Sequence, residues 1–246
     1  MTVEGIQVSG RWLALRESAD AAARAPDIVE HFGRHLPAIG RRVSRGGLTV
    51  REPADAAARA PDLVEQLRRR LPATGRRVIH DLGCGTGAMG RWLAPRLPGP
   101  QHWVVHDWDA DLLDVAAANL PSPAADGAAV TVEAKQSDIT RLHPGDLADA
   151  TLITASALLD LLTEDELAGL VAVCVGAGCP ALLTLSVVGR VNLSPADPLD
   201  RRVAAAFDAH QRRPTEGGRL LGPDAVAAAL KRFGRLGAEV LVRPSP

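Results

Sequence analysis

Hydrophobic positions along the chain alternate between two kinds of segment. Short apolar runs, each followed by a glycine, an aspartate or a turn signal, are typical of strands in a parallel sheet. Longer segments between them carry apolar residues at helical spacing. The predicted strands are residues 78–82, 101–107, 130–134, 151–156, 181–188 and 238–243. The predicted helices are residues 88–94, 111–120, 166–176, 200–213 and 223–236. Alternating strands and helices predict an α/β fold with a doubly wound, mostly parallel sheet and helices on both faces.

The N-terminal part of the chain contains a tandem duplication. Residues 19–43 and 54–78 are related at an offset of 35 positions and share 19 identities in 25 positions. Both copies have apolar residues at helical spacing, but only the second runs directly into a predicted strand. We therefore predict an N-terminal helical segment over residues 1–47, which duplicates residues 48–78. One domain is predicted over residues 48–246, with a helical insert at about 192–223.

The first predicted strand of this domain runs straight into a glycine-rich turn. Residues 78–87 read VIHDLGCGTG, and a helical pattern follows at once. A strand, a glycine turn and a helix together present backbone N–H groups and a helix N-terminus to a ligand. Two spacings overlap here: D-x-G-x-G-x-G from Asp81 to Gly87, and the dinucleotide pattern G-x-G-x-x-G from Gly85 to Gly90. The carboxylate of Asp81 favours the first, because it would repel a pyrophosphate.

The D-x-G-x-G-x-G segment resembles motif I of the class I S-adenosylmethionine (SAM)-dependent methyltransferases. This resemblance implies a Rossmann-like sheet, SAM as the cofactor and methyl transfer as the reaction. The loop residues that would contact SAM are Asp81, Gly83, Cys84, Gly85 and Gly87. The family fold has a seventh, antiparallel strand between strands five and six. No residues follow the predicted sixth strand to form it, so we expect the sheet to lack it, through truncation or because another segment fills the gap.

Further family motifs fall at the ends of the next predicted strands. Asp107 matches the acidic residue that accepts hydrogen bonds from the ribose, and Trp108 would lie beside the adenine. Asp138 and Ile139 match the pair that contacts the adenine amino group and ring. Main-chain groups near Ala155 would contact the amino acid moiety of SAM. Each aspartate has a structural alternative, as a helix cap or a turn residue.

Candidates for the chemistry itself are fewer. Asp160 lies where many family members carry a polar residue near the transferred methyl group. The helical insert would form part of a substrate lid, and its candidates for an anionic or polar substrate are Arg190, His210, Arg212 and Arg213. A solvated amphipathic helix is the alternative for this insert. No residue is assigned as the general base; the histidines expected on the ligand-bearing side or in the insert are His106, His143 and His210.

Composition limits the substrates, metals and cellular locations that are expected for this chain. The net charge is −1 and aromatic residues make up 3% of the chain, which argues against a nucleic-acid substrate. Three cysteines without a paired framework suggest a reducing cytosol and no zinc or other metal. No long uncharged apolar window and no signal sequence are present, so we expect a cytoplasmic protein without a membrane span.

The function that this sequence favours is methyl transfer from SAM to a small-molecule or side-chain nucleophile. A non-catalytic or degenerate SAM-binding scaffold is an alternative from another class. An NAD-dependent oxidoreductase is the third, and would require the Gly85–Gly90 turn to accept a pyrophosphate. An uncovered edge of the sheet would also allow the chain to form an oligomer.

Overall fold

A five-stranded parallel sheet forms the centre of the domain. The computed structural model describes residues 67–72, 74–120, 123–185, 188–189 and 198–242. Within them the strands lie in the order β3-β2-β1-β4-β5, with every neighbouring pair parallel. The strands are β1 (Arg77–Leu82), β2 (Gln101–Asp107), β3 (Val130–Gln136), β4 (Leu152–Ser156) and β5 (Ala181–Thr184).

Helices cover both faces of this sheet, as predicted. They are α1 (Ala88–Leu93), α2 (Ala110–Asn119), α3 (Glu164–Ala177), α4 (Asp200–Gln211) and α5 (Ala225–Arg235). A short hairpin, β6 (Pro214–Thr215) and β7 (Gly218–Arg219), precedes α5. Parallel strands need a crossover between them, so the strand order and the helices together make a doubly wound α/β fold. The predicted fold class is confirmed for this part of the chain.

Two hydrophobic clusters, one on each face, hold the layers together. The first contains Trp103 of β2 and residues of α1 and α2, and Leu67 and Leu71 complete it from the N-terminal side. The second joins the opposite face to α3 and α5. A buried polar contact supports the first cluster: the indole of Trp103 donates to the amide oxygen of Gln101 at 2.8 Å. Buried polar groups of this kind need such partners to offset their desolvation.

The predicted sixth strand is wrong over its described part, residues 238–242. These residues form no strand, although their alternating pattern is strand-like. Helix α5 is followed by Gly237 at a φ of 75°, and the N–H of Ala238 returns to the carbonyl of Phe233 at 3.1 Å. Glu239 then pairs with Arg70 at 3.1 Å. Alternation alone does not make a strand, because a strand also needs a hydrogen-bonded neighbour.

Strand β5 is shorter than predicted. It ends at Thr184 rather than at residue 188, while residues 186 and 187 lie outside the described residues. In the described part of the chain, β5 pairs with β4 alone. Residues 1–66, with the first copy of the duplication and the start of the second, also lie outside the described residues, as do Arg190 and residues 192–197 of the insert. The predictions on them and the domain boundary at residue 47 stay predictions. No helix among the described residues is long and apolar enough to cross a membrane.

Helix α3 begins with the capping arrangement that its sequence predicts. The hydroxyl of Thr163 accepts from the N–H of Glu166 at 3.3 Å, while the Glu166 carboxylate accepts from the N–H of Thr163 at 2.8 Å. This reciprocal pair satisfies two N–H groups that the helix leaves without an internal partner.

We expect Thr163→Ala to lower the free energy of unfolding by about 1–2 kcal/mol, because Thr163 is buried and both bonds of its hydroxyl are lost. Asp165→Ala is the matched control, since Asp165 is an exposed acidic residue in the same first turn. Urea denaturation would measure both variants. Equal shifts for the two would show that the cap contributes nothing specific.

Candidate active site

The loop between β1 and α1 is built from glycines in the left-handed region of backbone space. Gly83, Gly85 and Gly87 have φ values of 65°, 54° and 83°, which glycine adopts without steric cost. A Cβ atom at Gly83 would lie 3.0 Å from Leu158 Cδ1, and one at Gly87 would lie 3.2 Å from the Cα atom of Ala116. Backbone conformation therefore favours glycine at all three positions, and close packing adds to this at Gly83 and Gly87.

We expect Gly87→Ala to lower the free energy of unfolding by about 1–3 kcal/mol, because a Cβ at this φ is strained and its neighbour is backbone. Gly169→Ala is the matched control. Gly169 lies inside α3 with no atom within 4 Å of its Cβ position, and alanine favours a helix over glycine by about 1 kcal/mol. Urea denaturation should give shifts of opposite sign. A stabilised Gly87→Ala protein would contradict this account of the loop.

Asp81 lies at the end of β1 beside this loop. It is 1% exposed, and its Oδ1 atom accepts a hydrogen bond from the hydroxyl of Thr154 at 2.7 Å. Thr154 belongs to β4, the neighbouring strand, so this contact joins the carboxyl ends of β1 and β4. The structure thus buries the carboxyl group of Asp81 beside the glycine loop, and the prediction that it contacts SAM stays a prediction.

Asp107 is bonded directly to the glycine loop. It ends β2, and its Oδ2 atom accepts from the N–H of Gly85 at 2.9 Å. Its Oδ1 atom accepts from the N–H of Asp109 at 3.1 Å. Asp109 itself caps α2, as predicted, by accepting from the N–H groups of Asp111 and Leu112. The carboxylate of Asp107 therefore orients the loop, and each of its oxygens retains a lone pair for a ligand.

The remaining predicted adenine-side residues lie next to Asp107. Trp108 is 55% exposed, so its ring presents an apolar face at this edge. The N–H of Ser137 donates to the carbonyl of Asp107 at 2.8 Å, which brings the following residue, Asp138, to the same edge. Asp138 caps a short turn by accepting from the N–H of Thr140 at 3.0 Å, and Ile139 packs against the second cluster.

Two further residues of the predicted cofactor site are buried, one in the sheet and one in the glycine loop. Ala155 in β4 is 1% exposed, and its register partner in β1 is Leu82. Cys84 is buried, and burial is the main reason that the pKa of its thiol is raised far above the usual range. A thiol in this state is not a nucleophile at neutral pH. The N–H of Cys84 donates to the carbonyl of His106 at 2.9 Å, which ties the loop to β2.

A strained residue that the sequence did not indicate follows β4. Ala157 is the one non-glycine residue at positive φ among the described residues, at 52°. Its N–H donates to the carbonyl of Thr184 in β5 at 2.8 Å. Backbone strain of this kind is common at ligand-binding sites. Alanine carries no side-chain signal for it, so no pattern in the sequence could have revealed it.

The residues predicted to act on the substrate differ in their exposure and in their bonds to the rest of the protein. Asp160 is 6% exposed and lies in a short turn directly after β4. His210 is exposed on α4. Arg212 is bound by both its Nε and Nη2 atoms to the carboxylate of Asp224, at 2.6 and 2.8 Å. Arg213 donates to the carbonyl of His210 at 3.2 Å. Arg212 and Arg213 thus bond to groups of the protein itself, and the prediction that they receive an anionic substrate stays a prediction.

A row of hydrogen-bonded side chains was not predicted from the sequence. The Nδ1 atom of His80 lies 2.9 Å from Nε2 of His106, and both rings are buried. His80 also contacts Asp149 at 3.1 Å, and His106 contacts Ser137 at 3.0 Å. Burial lowers the pKa of both histidines, and the proximity of His80 contributes further at His106, to about 4. The only signal in the sequence was that two consecutive predicted strands each contain a histidine beside apolar residues.

At the carboxyl edge of the sheet, the glycine loop between β1 and α1 thus lies beside the carboxylates of Asp81 and Asp107. The described residues contain no group of three or more His, Cys, Asp or Glu side chains arranged to hold a metal ion.

Residues 79–177 match the family model of a methyltransferase domain. This segment is therefore a methyltransferase domain. SAM is accordingly its cofactor.

Several solved structures resemble this chain. One is a SAM-dependent methyltransferase from Mesorhizobium loti, at 20% identity, a TM-score of 0.40, and coverage of 68% of this chain and 78% of the other. Another is an O-methyltransferase family protein from Burkholderia thailandensis, at 18% identity and a TM-score of 0.44, with coverage of 71% of this chain and 49% of the other. A third is the cyclopropane synthase MmaA2 from Mycobacterium tuberculosis, at 15% identity and a TM-score of 0.48, with coverage of 78% of this chain and 66% of the other. No curated protein matches the sequence significantly.

The residues at the edge of the methyltransferase sheet fit SAM in their chemistry. Carboxylate oxygens accept hydrogen bonds from hydroxyl, amino and ammonium groups, all of which SAM carries. A dinucleotide loop would instead turn its N–H groups toward a pyrophosphate. Here the N–H of Gly85 donates to the carboxylate of Asp107, and a second carboxylate, Asp81, adjoins the same loop. This charge distribution suits SAM and opposes a pyrophosphate.

Proposed function

We propose that this chain transfers the methyl group of SAM to a small-molecule or side-chain nucleophile. The observation that carries the proposal is the contact between Gly85 and Asp107, because it commits the glycine loop to a carboxylate rather than to a phosphate. When bound, SAM supplies a methyl group that its sulfonium makes electrophilic. The chain's own part is to bind and align the two reactants and to exclude water.

The proposed roles follow the positions of the side chains. Asp81 binds the methionine end of SAM, and Asp107 accepts from the ribose hydroxyls while it holds the loop. Trp108 covers the adenine, and Asp138 accepts from its amino group. The whole proposed cofactor site comprises Asp81, Gly83, Cys84, Gly85, Gly87, Asp107, Trp108, Asp138, Ile139 and Ala155.

Asp160 is the proposed residue nearest to the methyl acceptor. Its side chain is buried and directly follows β4, the strand whose end also carries Ala155. In this position a carboxylate can orient an acceptor hydroxyl or amine and receive its proton. His210 is the weaker candidate, because it is exposed on α4.

A small acceptor agrees with the near-neutral charge of the chain, at −1. The proposal also includes a cytoplasmic, reducing location, because all three cysteines are free thiols. Association through the side of β5 that pairs with no strand among the described residues is proposed for the same chain, since an edge strand offers unpaired backbone groups.

The test is formation of S-adenosylhomocysteine (SAH) by the full chain with SAM and a panel of small hydroxyl, amine and thiol acceptors. We expect turnover with at least one acceptor and a loss of about 100-fold in kcat for Asp160→Asn if it receives a proton. Asp165→Asn, at an exposed position of α3, is the control. SAM binding without any turnover would favour the non-catalytic scaffold.

A further inference from the structure

Four polar side chains cross one face of the sheet in a continuous row. The row begins at Asp149, in the turn before β4, passes through His80 of β1 and His106 of β2, and ends at Ser137 after β3. The three successive separations are 3.1, 2.9 and 3.0 Å. His80 and His106 are 2% and 0% exposed, whereas the side chain of Asp149 is 66% exposed. The row therefore joins the surface to the carboxyl edge.

The donors and acceptors of the row have one consistent direction. A carboxylate only accepts, so Nε2 of His80 carries the hydrogen and donates to Asp149. Nδ1 of His80 then accepts from Nε2 of His106. Nδ1 of His106 in turn accepts from the hydroxyl of Ser137 at 3.0 Å, a shorter contact than the 3.3 Å from this hydroxyl to the carbonyl of Lys135. Both imidazoles are neutral in this arrangement.

The end of the row coincides with the proposed nucleoside-binding residues. His106 immediately precedes Asp107, and Ser137 immediately precedes Asp138. The carbonyl of His106 also accepts from the N–H of Cys84 in the glycine loop. One side-chain bond, from Ser137 to His106, therefore links the two strand ends that carry these aspartates, next to the loop.

We propose that His106 and Ser137 are positioning residues for the nucleoside end of SAM, and that Asp149 and His80 set the tautomer of His106. This inference rests on the proposed function. Backbone bonds pair the carboxyl ends of β2 and β3, including the bond from the N–H of Ser137 to the carbonyl of Asp107, and the bond between His106 and Ser137 fixes the orientation of these ends. Loss of that side-chain bond lets the carboxylates of Asp107 and Asp138 shift and weakens SAM binding without removing any group that contacts SAM.

The test compares two replacements of His106 that preserve different ring nitrogens. The amide of His106→Asn reaches the position of Nδ1 and can still accept from Ser137. The longer amide of His106→Gln reaches the position of Nε2 and contacts His80 instead. We expect Ser137→Ala and His106→Gln each to weaken SAM binding by about tenfold. His106→Asn should retain the wild-type affinity within about twofold, because its amide still accepts the bond from Ser137.

A matched control lies at the other end of the same two strands. His102 of β2 contacts the hydroxyl of Thr131 in β3 at 2.9 Å, a cross-strand link far from the carboxyl edge. His102→Gln should leave SAM affinity unchanged. Calorimetric titration of the full chain with SAM at pH 7.5, together with the melting temperature of each variant, separates affinity from stability.

The outcomes are distinct. Weaker SAM binding by Ser137→Ala and His106→Gln, with His106→Asn and His102→Gln near wild type, supports the inference. Unchanged affinity in the first two variants, beside a wild-type chain that binds SAM, overturns it and leaves the proposed function intact. Equal weakening by both His106 variants also overturns it, because stability alone would then explain the effect. A wild-type chain that does not bind SAM overturns the proposed function and this inference with it.

Discussion

Asp107→Ala is expected to weaken SAM binding by about 10- to 100-fold, which is the usual loss when a charged hydrogen-bond acceptor is removed. The structure gives two reasons for an effect of this size. The carboxylate is proposed to accept from the ribose hydroxyls, and it already accepts from the N–H of Gly85 at 2.9 Å. Removal of the side chain would therefore cost a ligand contact and also release the loop that surrounds the ligand.

Calorimetric titration with SAM measures this loss. Asp114→Ala is the control, since Asp114 is an exposed carboxylate on α2, a few residues further along the chain. Asp107→Asn divides the two contributions, because an amide oxygen can keep the bond to Gly85 while the negative charge is lost. An Asp107→Ala protein with wild-type affinity would show that the end of β2 is not part of the cofactor site.

Acidification from pH 7 to pH 4.5 is expected to destabilise the folded chain through its buried histidines. The pKa of His106 is lowered from 6.5 to about 4, first by burial and then by His80. The pKa of His80 is also lowered by burial, against the opposing effect of Asp149. Below pH 6.5 the unfolded chain therefore binds protons that the folded chain does not, and stability falls until the folded pKa is reached. The expected loss is about 2 kcal/mol, because a tenfold difference in proton affinity between the folded and unfolded chains corresponds to about 1.4 kcal/mol.

Urea denaturation at several pH values between 7.5 and 4.5 would measure this dependence. The charged groups that act on the pair are Lys135, Glu133, Asp146 and Asp149. Comparison with His106→Gln isolates the histidine contribution, because glutamine does not titrate. A variant whose stability depends on pH as steeply as the wild type would mean that His106 is already accessible to protons in the folded chain.

Local patterns in the sequence predicted much of the sheet. Strand β2 was predicted with its observed bounds, residues 101–107, because it has an apolar centre, Trp103 to Val105, and ends in an aspartate before a turn. The cap of α3 was predicted from Thr163 and Glu166, whose contact spans three residues. The glycine spacing of the loop likewise reflects a local backbone requirement. Such features depend on neighbours in the chain, so the sequence alone contains them.

Features that depend on distant partners were not predicted. Residues 238–242 alternate like a strand, but Glu239 pairs with Arg70, 169 positions earlier in the chain. His80 and His106 are separated by 26 positions and meet only because β1 and β2 are neighbours in the sheet. The bond of Asp107 to Gly85 was also not foreseen. In each case a contact between remote segments decides the structure, and no local pattern encodes it.

The most direct measurement is calorimetric titration of the full chain with SAM, SAH and NAD in parallel, repeated with Asp81→Ala and Asp81→Asn. Asparagine can keep the contact with Thr154, so the second variant removes charge with little change of shape. The account predicts micromolar binding of SAM and SAH, no binding of NAD, and loss of SAM affinity in both folded variants. Binding of NAD, or SAM binding that is unchanged without the Asp81 carboxylate, would contradict the assignment of this edge as a SAM site.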